Sequence, residues 1–298
     1  MTTKSTNGLF DFSSNAPEGV SDTLLETLRC AVEAVQEVGA LLDESFRRGI
    51  ILADAEKVKL IHPQYRWSDT TPLALDAEKI LVAHLETAKI GLASIDSDEL
   101  VRKHVPDSAY TWIIDPIDGV RHLARGLPLF TCSVALRKEK ETLLSVTYAP
   151  VTGELFLALK DHGAYLNSWA HRLHVSDVGM EQALVHLEFP NRDQLQGFPE
   201  DFNTQCDAVS DIFSRVKRVR GLGLGSLGLA YVAKGAFEAY LTLTGTTLIQ
   251  DVMAGLLLVE EAGGKTMTLD VPDVTANNTR VIAANQVVFD EIKKSLKA

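Results

Sequence analysis

Between Tyr110 and Ser176 the chain is cut into six short β-rich runs, and this texture restricts the possible folds more than any other feature. The runs are YTWIID, LFTCSVALR, TLLSVTYAP, ELFLALK, GAYLN and RLHVS, separated by turn residues such as Thr152-Gly153 and Asn167-Ser168. A parallel crossover needs a dozen residues or more, so runs joined by such short links pair antiparallel in one sheet. Ahead of them, SDTLLETLRCAVEAVQEVGALLDESFRR (21–48) places apolar residues three and four apart, which predicts a long amphipathic helix with Ser21 as its N-cap. DAEKILVAHLETA (76–88) repeats the helical pattern, with Asp76 where a capping residue would sit.

The second half has a different rhythm. A region with few signals (about 181–214) precedes the strand VKRVR, the glycine-spaced GLGLGSLG and a helix from about Ser226 to Lys234. Then come the strand FEAYLTL, the helix LIQDVMAGLLLVEEAGG with a glycine pair suited to its C-terminus, the strands KTMTLD and RVIAAN, and a final helix. Helices and strands mixed in this way predict a layered α/β (α+β) fold. We divide it into a flexible lead-in over 1–20, an N-terminal α+β half over 21–180 and a C-terminal α/β half over 181–298.

Composition excludes several functions. With 46% hydrophobic residues, 298 residues fill a sizeable core. A formal charge of −11 argues against a nucleic-acid partner, because phosphate backbones are neutralised by clustered Lys and Arg. The one basic cluster, RVKRVR (215–220), alternates with valine and reads as a strand with one solvated face. Cys30, Cys132 and Cys206 form no CxxC pair, so neither a disulfide framework nor a zinc ribbon is indicated. The N-terminus lacks a signal-peptide pattern and no run of about 18 uncharged apolar residues follows, so we expect a cytoplasmic protein without a membrane partner.

Chemistry concentrates in WIIDPIDGVRHL (112–123), where an apolar run ends in two aspartates three residues apart. Mg²⁺ takes oxygen ligands from carboxylates, carbonyls, water and substrate phosphate, and Asp115, the Ile117 carbonyl and Asp118 offer such a set from one turn. Gly119 lets the N–H groups of 119 and 120 approach an anion closely. Asp-Pro and Asp-Gly are also ordinary turn chemistry. Asp76 reads equally as an N-cap, Asp251 as a favourable charge at a helix N-terminus, and Asp98 and Glu99 as part of a solvated loop.

WIIDPIDGVRHLARGLPLFTCSVAL resembles the central signature of the inositol monophosphatase family, in which an apolar strand leads into Asp-Pro-Ile/Leu-Asp-Gly-Thr/Ser. LLSVTYAPVTGELFLALKDHGAYLNSWAHRLHVS, GSLGLAYVAKGAFEAYL and QDVMAGLLLVEEAGGK are similar to further blocks of that family in the same order, so the likeness runs from about 24 to 285. It implies the inositol-monophosphatase/fructose-bisphosphatase-like αβαβα sandwich, a homodimer, and Mg²⁺-dependent hydrolysis of a small phosphomonoester by metal-activated water. It implies metal ligands at Asp115, Ile117 (carbonyl), Asp118, Asp251, Asp76 and Asp98, with Glu99 as alternate. The likeness implies Asp76, Asp98, Asp115 and Asp118 as the catalytic carboxylates and the Gly119 and Val120 N–H groups as the phosphate cradle.

The chain departs from the family pattern in places that bear on activity. Val120 stands where a Thr or Ser hydroxyl helps orient the attacking water, and valine has the shape without the donor or acceptor. Gln250 replaces the usual Trp, and LTLTGTTLIQD offers threonines, Thr244 among them, where inositol phosphatases carry an acid for substrate hydroxyls. Inositol phosphate is therefore a doubtful substrate; sugar phosphates, histidinol phosphate and nucleotide bisphosphates are alternatives within the family. Arg121, His122, Ser226 and Thr244 are candidate substrate contacts. Two other readings remain: a catalytically impaired member that binds metal and phosphorylated ligand, and a dinucleotide-binding oxidoreductase through GLGSLG (223–228), which satisfies GxGxxG.

Overall fold

The computed structural model describes residues 10–48, 71–91, 93–97, 102–189, 209–268 and 279–295, without the side chains of Arg102 and 243–246. The first sheet contains β1 (Ser94–Ser97), β2 (Arg102–Lys103), β3 (Tyr110–Asp118), β4 (Thr131–Lys138), β5 (Glu141–Ala149), β6 (Glu154–Leu159) and β7 (Gly163–Leu166), in the order β2-β1-β3-β4-β5-β6-β7. From β3 to β7 every neighbour is antiparallel, as the short links require. β1 joins parallel to β3.

The sixth run, RLHVS, is not a strand. Arg172 makes one isolated bridge to Tyr165, after which Leu173 N–H donates to the Ala164 carbonyl and Val175 N–H reaches the Ala262 carbonyl. Its backbone groups find partners on two different elements instead of one ladder, and that satisfies them without a strand.

The second sheet holds β8 (Leu184–Glu188), β9 (Arg218–Arg220), β10 (Ala239–Thr247), β11 (Lys265–Thr268) and β12 (Thr279–Ala284), in the order β11-β12-β10-β8-β9. β8 is parallel to both β9 and β10, while β12 runs antiparallel to β10 and β11. The helices are α1 (Asp22–Arg48), α2 (Pro72–Leu85), α3 (Val120–Ala124), α4 (209–215), α5 (Gly225–Ala233), α6 (Ile249–Glu261) and α7 (Gln286–Ser295).

Strand alternation sorts the side chains into three cores and so fixes the layers. Trp112, Ile114, Val134, Leu136, Leu155 and Leu157 face α1 and α2, whose contribution includes Leu28, Val35, Leu42 and Leu81. Their alternates Ile113, Ala135, Phe156 and Ala158 face the other way, onto α5 and α6, where they meet Tyr240, Val281 and Ala283 from the second sheet. Leu241, Ile282 and Ala284 point outward from that sheet onto α7 at Val288, Phe289 and Ile292, with Ile212 of α4. The order α-β-α-β-α results, with α5 and α6 as the shared middle layer.

Two local expectations change. Asp76 does not cap α2: Thr71 does, its Oγ1 accepting from Ala74 N–H at 3.1 Å, with Pro72 in the first turn. Helix α2 thus starts four residues earlier, and Asp76 lies within it. The described part of the lead-in is anchored: Phe10 is buried, packs on Phe12 and Trp169, and is followed by a backbone bridge from Asp11 to Ser168.

Candidate active site

β3 carries both aspartates of the DPID turn, and a bulge separates them. Asp115 lies opposite Ser133 and Asp118 opposite Thr131, so β3 advances three residues while β4 advances two. Asp115 is 2% exposed, and its Oδ1 accepts from Ile117 N–H at 3.1 Å, which holds the turn tight. Gly119 follows at φ +96°, and its carbonyl accepts from His122 and Leu123 N–H to start α3. A Cβ there would stand 2.6 Å from Leu224 Cδ2 and 2.7 Å from the Leu129 carbonyl oxygen, so glycine is required both by conformation and by space.

Asp118 reaches across to the start of α5. Its Oδ2 accepts from Ser226 N–H at 2.9 Å and from Ser226 Oγ at 2.5 Å, and Thr131 Oγ1 lies 2.5 Å from that same hydroxyl. Leu224 at the N-cap offers no side-chain cap, so a carboxylate 108 residues distant in sequence satisfies the helix terminus instead. Gly225 packs its Cα against Asp251, since a Cβ on it would come within 3.3 Å of Asp251 Cβ. Asp251, in the first turn of α6, accepts from Leu248 N–H at 3.3 Å. The start of α5 is therefore in contact with Asp118 of the first half through Ser226 and with Asp251 of the second through Gly225.

Two residues that the sequence did not single out complete the cluster. In β8, His186 and Glu188 face the glycine-rich segment, where His186 Nε2 meets Leu222 N–H at 3.1 Å and Glu188 Oε1 accepts from Leu224 N–H at 2.8 Å. The two side chains are 3.0 Å apart. N–H groups 222, 224 and 226 are thus tied in turn to His186, Glu188 and Asp118. The available signal was period-two spacing, since His186 and Glu188 share one face of an otherwise apolar strand. Tyr240 lies beneath, its hydroxyl pushed well above the usual range by burial and then by Glu188, Asp251 and Asp118.

The electrostatics favour a cation. Burial pushes the Asp118 carboxyl up to about 7; the Ser226 hydrogen bonds oppose this and the charge on Glu188 adds to it. As a whole residue Asp118 keeps partial exposure, but its carboxyl is enclosed by protein. None of the groups acting on it is a cation. Oxygen donors held in this state suit a hard divalent ion such as Mg²⁺. Among the described residues, no three His, Cys, Asp or Glu side chains are gathered closely enough to hold an ion by themselves.

The other sequence-derived residues are distributed unevenly. Asp76 is exposed and paired with Lys79 at 2.8 Å. Asp98 and Glu99, and the side chain of Thr244, lie outside the described residues. Arg121 is exposed. His122 is half-buried with its ring against Gly223, and burial lowers its pKa. Ser226 is fully buried with its hydroxyl committed to Asp118, which makes it a support for that carboxylate in place of a substrate contact. The GLGSLG glycines have packing reasons of their own: a Cβ on Gly228 would stand 2.0 Å from His186 Nδ1. Asp118 already occupies the helix terminus that a pyrophosphate would need.

The profile of the Inositol monophosphatase family matches residues 23–297, and the chain belongs to that family. It is 31% identical over 225 residues to the inositol-1-monophosphatase of Mesorhizobium japonicum, covering 74% of this chain and 80% of that one. It is 27% identical over 272 residues to the Nus factor SuhB of Pseudomonas aeruginosa, covering 91% and 95%. Among solved structures, the inositol monophosphatase of Anabaena superposes with a TM-score of 0.73 at 25% identity, over 92% of this chain and 96% of that one. The αβαβα fold implied by the sequence is the fold of these neighbours, and membership supports a phosphatase role.

Proposed function

We propose that the chain is a Mg²⁺-dependent phosphatase of a small phosphomonoester, with Asp115, Asp118 and Asp251 as the carboxylates that hold the metal. The observation that supports this reading is that the first turn of α5 contacts both Asp118, through Ser226, and Asp251, through Gly225, and that no cation acts on the enclosed Asp118 carboxyl. The Ile117 carbonyl and Asp98, with Glu99 as alternate, are further candidate donors, and Asp76 would serve a more weakly held ion. A bound divalent ion supplies Lewis-acid stabilisation of phosphoryl charge and a water of lowered pKa. The chain's own residues do the positioning: Ser226 and Thr131 orient Asp118, and Glu188 fixes the 222–226 backbone. The Gly119 and Val120 N–H groups at the first turn of α3 face a phosphate oxygen in this reading. Among the described residues no helix is long and apolar enough to cross a membrane. A cytoplasmic homodimer is the assembly we propose.

Val120 favours a second reading. It is the first residue of α3, half-buried against the first core, and it brings no hydroxyl to the place where family members have one. In that reading the chain binds metal and phosphorylated ligand without turnover, as a sensor or a partner subunit. We expect Val120→Thr, nearly isosteric, to raise kcat by roughly 10²-fold, the lower end of general acid–base help. Phosphate release from a panel of phosphomonoesters with Mg²⁺, for parent and variant side by side, measures it. No turnover by the parent with turnover by the variant would establish the ligand-binding reading and remove the enzymatic one.

A further inference from the structure

Helix α6 starts at the candidate metal centre, but a different face of it lines a cavity of about 620 Å³. Ile249, Met253, Leu256, Leu257 and Glu260 recur at helical spacing and form its floor. The β4–β5 hairpin makes one wall and β11 the other, so the cavity lies where both sheets meet the middle layer. Its size is that of a small-molecule site.

Cationic side chains gather on the rim of this cavity. In a chain of formal charge −11, Arg137, Lys140 and Lys160 converge on it. Two carboxylates, Glu141 and Glu260, also border it, and Glu260 Oε1 already accepts from Thr266 Oγ1 at 2.5 Å. Arg137 is 4% exposed, and its Nη2 donates to the Lys140 carbonyl at 3.0 Å, which fixes the guanidinium against the hairpin turn. The Thr142 hydroxyl, also on the lining, donates to Met253 Sδ at 3.2 Å. A thioether is a weak acceptor, so the hydroxyl can turn its hydrogen bond to a stronger acceptor entering the cavity.

We propose that this cavity is a second binding site, for a small amphipathic organic anion whose charged group meets Arg137, Lys140 and Lys160 while its apolar body lies on Met253, Leu256 and Leu257. Apolar floor and cationic rim together are what such a ligand needs, since the charge orients it and the floor supplies burial. The site shares no residue with the proposed phosphatase centre, so it stands or falls independently of that function.

The probe is 8-anilinonaphthalene-1-sulfonate, an aromatic anion whose fluorescence rises when it is desolvated. Titrated into the native full chain, it should saturate one site. The Lys140→Glu/Lys160→Glu variant reverses the rim without touching the core, and should weaken binding roughly tenfold or more. Lys89→Glu/Lys294→Glu makes the same change in net charge at exposed lysines that do not line the cavity, and should leave affinity within about twofold. An unchanged unfolding midpoint confirms that each variant is folded. Absence of saturable binding, or equal effects of the two double variants, overturns the proposal.

Discussion

Asp118→Asn should nearly abolish phosphate release and, in the metal-free protein above pH 7, raise stability. The two effects have one cause. In the folded chain enclosure by protein disfavours the charge and pushes the carboxyl up to about 7 from an ordinary value of 3.8. The sign follows from proton linkage: the folded state holds this proton more tightly, so its stability falls as pH rises from about 4 to about 7 and is fully lowered above that. A shift of roughly three pH units corresponds to about 4 kcal/mol, which is the upper limit for the gain on removing the charge. Asparagine keeps an oxygen for the Ser226 donors. Metal-free denaturation at pH 8 should therefore show the variant more stable than the parent, with the difference vanishing near pH 4. Added Mg²⁺ should stabilise the parent and not the variant. Loss of activity should exceed the roughly 10- to 100-fold that removing a supporting group around a metal costs. A variant that is less stable at pH 8 and still active would contradict this description of Asp118.

Gly119→Ala should be among the most damaging single changes of a small residue. The added Cβ meets a left-handed backbone at φ +96°, a leucine methyl at 2.6 Å and a carbonyl oxygen at 2.7 Å. The methyl belongs to a side chain that can turn, but the Leu129 carbonyl belongs to the backbone entering β4. Strain at positive φ and overpacking each cost about 1–3 kcal/mol, so a loss of about 2–6 kcal/mol is expected. Thermal denaturation should fall by roughly 5–15 °C for a chain of this size. Activity should fall further than stability, because moving the start of α3 displaces the Gly119 and Val120 N–H groups. An unchanged midpoint would mean that the β3–α3 turn is looser than its contacts imply.

How much of this could be read from sequence depended on whether the signal was local. Alternating apolar residues and two-residue turns revealed β3 to β7, and three-to-four spacing revealed α1 and α6, because side-chain direction follows directly from those periods. RLHVS failed because a β-like composition says nothing about where its N–H groups go, and here they go to two elements. Asp76 was misplaced as a cap because Thr71-Pro72 carries the start of α2, and a cap is defined by one hydrogen bond that composition does not reveal. Within the proposed site, Asp115, Asp118 and Asp251 were suggested by a family likeness. His186, Glu188 and Thr131 were not, since each acts across the tertiary structure on a segment 36 to 95 residues away. Ser226 was found with a different role, because only packing shows that its hydroxyl is consumed by Asp118.

The most direct test of the proposed metal-dependent hydrolysis is phosphate release by the purified chain from a panel of sugar, polyol, histidinol and nucleotide phosphomonoesters, in EDTA and then with Mg²⁺ restored. The proposed metal site predicts release from at least one member that stops in EDTA and returns with Mg²⁺. Release that continues undiminished in EDTA, or no release from any member with Mg²⁺ present, would contradict it.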